Sequence, residues 1–295
     1  MGTPEGGRGV NRMRVRSAKV AALFTGFSLL LAGCTSQTSL GWLPTERGTT
    51  NQTDRVIDLW VGSWAVLLIV GVVTWGLIIW AAVVYRRRKG QTGTPAQLRV
   101  NMPIETFFTV VPLILVLGFF AFTARDQAII EEPLPDPDVR IEVFGKRWAW
   151  DFNYLDENVY YSGIQAQELP EGPIDADSLP VLYLPVGQKV EVTIESRDVI
   201  HSFYIVDFLY KKDMIPAKTN YWYFIPEKEG VFRGKCAELC GEYHSLMLFE
   251  VRVVSQEEYD QHMQELRAQG NVGRLGPEYN VLQNLPGTSA SGEEG

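Results

Sequence analysis

The feature that most restricts the fold is an uncharged apolar run of 26 residues, 60–85. As a helix rising about 1.5 Å per residue, it crosses the ~30 Å hydrocarbon core of a bilayer with room for tilt. Trp60, Trp64, Trp80 and Tyr85 lie toward its ends, where interfacial aromatics belong. Arg86, Arg87, Arg88 and Lys89 follow at once and place the next loop on the cytoplasmic side. A second apolar segment covers residues 104–124 and contains Pro112, which a packed membrane helix tolerates. A buried core helix is the competing reading of this segment, but its place directly after a span and a basic loop favours the membrane. The two segments read as a transmembrane α-helical hairpin over 56–125, with the chain beyond Arg125 on the outer side.

The N-terminus reads as an export signal, 1–33. Arg12, Arg14, Arg16 and Lys19 precede a short apolar stretch, 20–31, too short to span a bilayer. It ends in Leu31-Ala32-Gly33-Cys34, which resembles a bacterial lipoprotein cleavage box and makes Cys34 the expected lipidation site. Ordinary cleavage beside an incidental cysteine is the plainer alternative. Residues 34–55, rich in Thr, Ser, Gly and Asn, read as a lipidated linker.

Charge divides the chain in the same place. Residues 1–125 hold 13 Lys/Arg and 5 Asp/Glu, whereas 126–295 hold 14 and 30. A basic apolar front and an acidic rear describe a membrane anchor joined to a water-soluble domain. Within 126–255, short strand-like runs at 139–144, 181–184, 189–194, 201–206, 220–225 and 248–254 are separated by Pro/Gly turns, which predicts an all-β sandwich or barrel. The acidic stretch 155–180 reads as an exposed loop. Ser255-Gln256-Glu257-Glu258 fits a capping box that opens a short helix, on which His262 reads as a solvated side chain. A disordered tail closes the 256–295 region.

The chemistry concentrates in Lys235-Cys236-Ala237-Glu238-Leu239-Cys240-Gly241-Glu242-Tyr243-His244-Ser245-Leu246-Met247. Two thiolates, an imidazole and a thioether share one loop, and a second imidazole, His201, lies 35 residues upstream of Cys236. Soft sulfur ligands with imidazole favour copper. Cys240, His201, His244 and Met247 alone make up a mononuclear blue-copper set, which leaves Cys236 over. Two facing thiolates can instead bridge two metal ions, and that reading consumes every ligand. Zinc takes the same S and N donors but has little use for methionine. A redox disulfide is expected at C-x-x-C rather than C-x3-C spacing. Two plain core cysteines would not need the neighbouring His and Met.

The segment resembles the CuA domain of cytochrome c oxidase subunit II, whose hallmark is C-x-E-x-C-G-x-x-H-x-x-M with an upstream His-Ser-aromatic, here His201-Ser202-Phe203. The resemblance spans about 55–262 and implies a cupredoxin-like Greek-key β-barrel. It implies that Cys236 and Cys240 bridge two coppers, that His201 and His244 are terminal ligands, and that Met247 and the Glu238 backbone carbonyl are axial. The Glu238 carboxylate would face the catalytic subunit and a shared magnesium there.

Arg147-Trp148-Ala149-Trp150-Asp151-Phe152-Asn153-Tyr154 resembles the family's aromatic run, with Trp148 as the exposed residue where electrons arrive. Trp150 and Tyr154 read simply as a buried strand face. Ala149 replaces an aromatic and Asn153 an acidic docking residue, while Asp198 matches a docking carboxylate. Ile104-Glu105-Thr106-Phe107-Phe108 resembles the start of the family's second helix, where Glu105 would mark the mouth of a proton-uptake path; an interfacial acid without such a role is the plain reading. Lys211-Lys212-Asp213-Met214-Ile215-Pro216 resembles a family loop in which Ala217 stands for the usual glycine.

The resemblance implies a membrane-bound oxidoreductase subunit with the copper domain outside the bacterial plasma membrane. It would take electrons from a c-type cytochrome and pass them to haem in catalytic subunit I, for oxygen reduction coupled to proton pumping. Other oxidase subunits, or a tethered cytochrome in a respiratory supercomplex, would meet the acidic loop; no nucleic-acid partner is expected. A quinol oxidase subunit II typically lacks the copper ligands, and a nitrous oxide reductase would be larger and lack the hairpin. A copper chaperone or a zinc-stabilised surface lipoprotein would need neither Glu105 nor the tryptophan run.

Overall fold

The computed structural model describes residues 35–95, 97, 99–168, 172, 174–277 and 279. The expected signal peptide, Cys34 and the expected disordered tail from 287 lie outside them. Residues 35–43 belong to a separate unit with one helical turn, Ser36–Ser39. The described residues from Pro44 onward form the second unit.

Two helices, α1 (Thr53–Val84) and α2 (Met102–Ile130), are long and apolar enough to cross a membrane. Their surfaces expose Val72, Trp75, Ile79, Leu113, Val116 and Phe120, a face that water does not favour. Hydroxyls within the spans are satisfied by the helix itself: Ser63 donates to Leu59 O at 2.6 Å and Thr74 to Val70 O at 2.8 Å. Asp126, buried near the end of α2, pairs with Arg55 of α1 at 3.1 Å and with Arg125 at 3.0 Å.

The stretch before α1 is not the free linker expected from its composition. Thr50 bridges Pro226, and Asn51 exchanges hydrogen bonds with Ile225. Gln52 Nε2 donates to Ile130 O at 3.0 Å and Tyr223 O at 2.7 Å, while its Oε1 accepts from Trp222 Nε1 at 3.4 Å. Polar Thr, Asn and Gln read as linker in sequence because their use as pairing groups depends on a partner strand 170 residues away.

Ten strands follow among the described residues: β1 (Val139–Lys146), β2 (Ala149–Tyr154), β3 (Val159–Ser162), β4 (Val181–Pro185), β5 (Val190–Ser196), β6 (His201–Ile205), β7 (Tyr210–Met214), β8 (Asn220–Phe224), β9 (Gly230–Cys236) and β10 (Leu248–Val254). They form two five-stranded sheets, β3-β2-β1-β5-β8 and β4-β10-β9-β6-β7. Most pairs are antiparallel, but β1–β5 and β4–β10 run parallel. β7 lies beside β5 and β8, so the sheets meet along one side. Trp150 and Phe152 from the first sheet pack on Phe203 and Phe249 from the second. Trp150 lies 5.4 Å from Phe203 and 5.0 Å from Phe249, and the two phenylalanines stack at 4.8 Å. Full burial of each such ring contributes roughly 1.5–3 kcal/mol. Gly234 faces this stack, where a Cβ would come within 2.2 Å of the Phe249 ring. Trp150 and Tyr154 are buried as expected.

The 155–180 stretch is not simply an exposed loop. It contains β3, and Val159, Gln165 and Ala166 are buried. Its acids mask a strand that pairs with β2. The strand at 139–144, expected to be half-buried, is buried on both faces apart from Arg140, because the chain beyond the last helix covers its outer side. That helix, α3 (Gln256–Ala268), opens with Ser255 Oγ accepting from Glu258 N at 3.2 Å. Tyr259, Met263 and Leu266 form its buried stripe against β3 and β4. His262 flanks that stripe and stacks on Tyr183 at 3.7 Å, so it is a packed side chain rather than a solvated one.

Candidate metal centre

β9 and β10 are antiparallel neighbours, and the loop between them is closed by Cys236 N donating to Met247 O at 2.9 Å. A 3-10 turn, His244–Leu246, folds the far side of the loop back toward its start. Ala237 N donates to Ser202 O at 3.0 Å, and Phe203 pairs with Cys236 in register, which ties the loop to β6. His201, the first residue of β6, is thereby brought beside a loop 35 residues distant in sequence.

The donors converge. Cys236 Sγ and Cys240 Sγ lie 3.8 Å apart. His201 Nδ1 is 3.8 Å from Cys236 Sγ, and His244 Nδ1 is 3.4 Å from Cys240 Sγ. Met247 Sδ is 3.7 Å from Cys240 Sγ, and Glu238 O is 3.2 Å from Cys236 Sγ. Each sulfur thus has one imidazole nitrogen and one weak donor of its own. His201, Cys236, Cys240 and Met247 are buried and His244 is half-buried. His201, Cys236 and Cys240 place their donor atoms within 4.8 Å of one another, close enough to hold a metal ion.

The electrostatics suit cation binding. The hydrogen bond between the two sulfurs pulls the Cys236 pKa down, while the same contact, together with burial, pushes Cys240 up. Burial works against a charged His201, but its bonds to Asp198 and Cys236 outweigh that and raise its pKa. Asp198 Oδ1 bonds His201 Nε2 at 2.8 Å, so Nδ1 is the nitrogen turned to the sulfurs. Burial would likewise raise Asp198, yet its hydrogen bonds from His201, Val199 N and Arg147 N hold it low.

Residues 139–254 match the family described as "Cytochrome C oxidase subunit II, periplasmic domain". A probable cytochrome c oxidase subunit 2 of Streptomyces avermitilis is 41% identical over 92% of this chain and 93% of its own. The chain belongs to the cytochrome c oxidase subunit II family. The subunit 2 of Mycobacterium tuberculosis is 31% identical over 89% of this chain and 85% of its own. The crystal structure of the periplasmic domain of a Bradyrhizobium japonicum subunit II (CoxB) covers 46% of this chain and 99% of that one, at 29% identity and a TM-score of 0.41. The expected fold class, an apolar helical hairpin followed by a cupredoxin-like all-β domain, is the one found. Subunit II is the electron-accepting member of a haem–copper oxidase, an oxidoreductase complex.

Not every residue expected from the subunit II resemblance joins the centre. Trp148, in the β1–β2 turn, does: it is half-buried, its indole donates to Cys240 O at 3.2 Å, and its ring meets Tyr243 edge-on at 4.9 Å. Gly241, at φ +126°, lets the loop approach so closely that a Cβ would touch the Trp148 ring at 3.1 Å. The Glu238 side chain is exposed. Glu105 is far away, at the opposite end of α2, about 38 Å along the axis from Ile130. There it accepts from Asn101 N at 2.8 Å while Asn101 Oδ1 accepts from Ile104 N at 3.4 Å, a reciprocal cap.

One docking residue is corrected. Asp198 has a side chain only 6% exposed and is committed to His201 and Arg147, so it orients the His201 ring rather than presenting a surface charge. Asn153 is buried and binds Glu142 and the Leu275 backbone. The orienting role of Asp198 was missed because an acid near a docking surface and an acid that orients a histidine three residues on look alike in sequence; the Asp-x-x-His spacing was the available signal.

Proposed function

We propose that this chain holds a binuclear copper centre through Cys236, Cys240, His201, His244, Met247 and the Glu238 carbonyl. At that centre it accepts electrons from a c-type cytochrome and passes them to haem in the catalytic subunit. The observation that carries this is the paired arrangement of donors: two sulfurs 3.8 Å apart, each with its own imidazole nitrogen and its own weak donor. A tetrahedral zinc would use two sulfurs and two nitrogens and leave Met247 and the Glu238 carbonyl without a task. When bound, a copper pair supplies a one-electron carrier whose charge change is spread over two ions.

The chain's own residues do the rest. Trp148 touches the Cys240 carbonyl and gives an arriving electron a short route to the centre. Asp198 holds the His201 tautomer. Met247 and Trp150, both buried, keep water from the inner side. The exposed Glu238 carboxylate is free to face the catalytic subunit and a magnesium ion shared with it. Glu105 stands at the cytoplasmic end of α2, where a proton path would open. An export signal, acylation of Cys34 and a copper domain on the outer face of the bacterial plasma membrane complete the reading. Replacing Cys236 with Ser tests it: oxidase turnover should collapse while the chain still assembles, and near-normal turnover would sink the assignment.

A further inference from the structure

The outer side of the first sheet contains a buried charge network that the metal centre does not use. Lys146, Asp151 and Arg197 have side chains with no exposure to solvent. Lys146 Nζ lies 2.5 Å from Asp151 Oδ1, Arg197 pairs with Asp151 Oδ2, and Ser162 Oγ donates to Oδ1 at 2.9 Å. The Arg197 guanidinium also sits 4.0 Å over the Phe144 ring.

A strap formed by the chain beyond α3 covers this network. Val272 bridges Val159, and Arg274 forms a two-pronged ion pair with buried Glu142. Leu275 exchanges backbone hydrogen bonds with the Asn153 amide at 2.9 and 3.0 Å. Gly276 O accepts from Arg197 Nε at 3.1 Å and Nη2 at 3.0 Å, and Tyr279 lies 5.5 Å from the guanidinium. A buried ion network is weak evidence for added stability, so its value has to be sought in what it holds.

Arg197 connects the strap to the metal centre. Its own N–H donates to Gly145 O at 3.0 Å, and a Cβ at Gly145 would meet the His201 ring at 3.0 Å. The next residue is Asp198, whose Oδ1 aims His201 and whose Oδ2 accepts from Arg147 N at 2.8 Å, immediately before Trp148. We infer that Arg197, gripped by Leu275, Gly276 and Tyr279 of the strap, is a positioning residue for His201 and Trp148, and that the strap thereby sets the redox behaviour of a centre it does not touch. Outer partners of metal-ligating histidines typically change metal affinity or activity by about 10–100-fold, and Arg197 stands one step behind such a partner. The inference rests on the copper reading above.

The test uses the purified oxidase containing the full chain, as parent and as Arg197→Lys, Arg197→Met and Arg274→Ala variants. Copper content, the hyperfine pattern in electron paramagnetic resonance and the midpoint potential of the centre are measured. Arg197→Met should retain copper, alter the hyperfine pattern and shift the reduction equilibrium about tenfold, which is about 59 mV for one electron. Arg197→Lys should recover part of that shift, and Arg274→Ala should give a smaller shift of the same sign. Copper-loaded Arg197→Met with the parental potential and spectrum would overturn the inference. Where Arg197→Met does not assemble, Arg274→Ala decides, since it leaves the Arg197–Asp151 pair intact: parental values there overturn the inference equally. A parent without any copper signal sinks the copper reading and this inference together, whereas a normal parent with unshifted variants sinks this inference alone.

Discussion

Asp198 Oδ1 binds His201 Nε2 at 2.8 Å, and the imidazole therefore turns Nδ1 toward Cys236 Sγ, 3.8 Å away. The carboxylate fixes both the tautomer and the direction of a histidine that β6 delivers from outside the candidate metal loop. Asp198→Ala should leave the β-domain folded but lower copper affinity about 10–100-fold, the usual effect of removing such a partner. Competition titration against a chelator of known affinity measures this, and parental affinity would refute the orienting role.

Trp148 is held between the Cys240 carbonyl and Tyr243, with Gly241 leaving room for its ring. Trp148→Phe should retain copper and its spectrum, yet slow reduction by cytochrome c by about tenfold or more, equivalent to roughly 1.4 kcal/mol of barrier. Stopped-flow reduction of the centre separates this from downstream steps. An unchanged rate would move the route of arrival elsewhere.

Asp151 carries two buried cations, Lys146 and Arg197, and the partners are not equivalent. Asp151→Asn leaves both cations uncompensated and should cost about 3–5 kcal/mol. Lys146→Met should cost clearly less, because Asp151 keeps Arg197 and Ser162. Thermal unfolding of the two variants compares them, and equal losses would contradict the ordering.

Gln52, the N-cap residue of α1, ties the last turn of α2 to β8 through three groups: Ile130 O, Tyr223 O and the Trp222 indole. Gln52→Ala removes the partner of all three and should destabilise the junction by about 1–3 kcal/mol. Limited proteolysis in detergent should then cut near residues 44–52 faster than in the parent, while copper spectra stay unchanged.

Much of this was legible in the sequence, for identifiable reasons. Length and hydropathy announced the hairpin, since an uncharged run of 26 residues has few other uses. The candidate metal loop was legible because four donor side chains share one short loop, 236–247, and His201 because a soft donor set was incomplete without it. Strands with alternating or continuous apolar residues, such as β5 and β10, were read to within a residue or two. What escaped was carried by polar residues whose partners lie far along the chain. β3 was hidden by its acidic neighbours, Thr50 to Gln52 by their linker-like composition, and Asn153 and Glu142 by a strap more than 110 residues later. Asp198 was read for its charge, when its three-residue spacing from His201 was the informative property.

The most direct test of the central claim is metal stoichiometry on the full chain in detergent, produced without metal and titrated with copper. The paired donors require two copper ions per chain and a purple, mixed-valence signal in which one unpaired electron is shared by both nuclei. A single blue copper would remove Cys236 from the ligand set, and tight zinc with no specific copper would contradict the electron-accepting function itself.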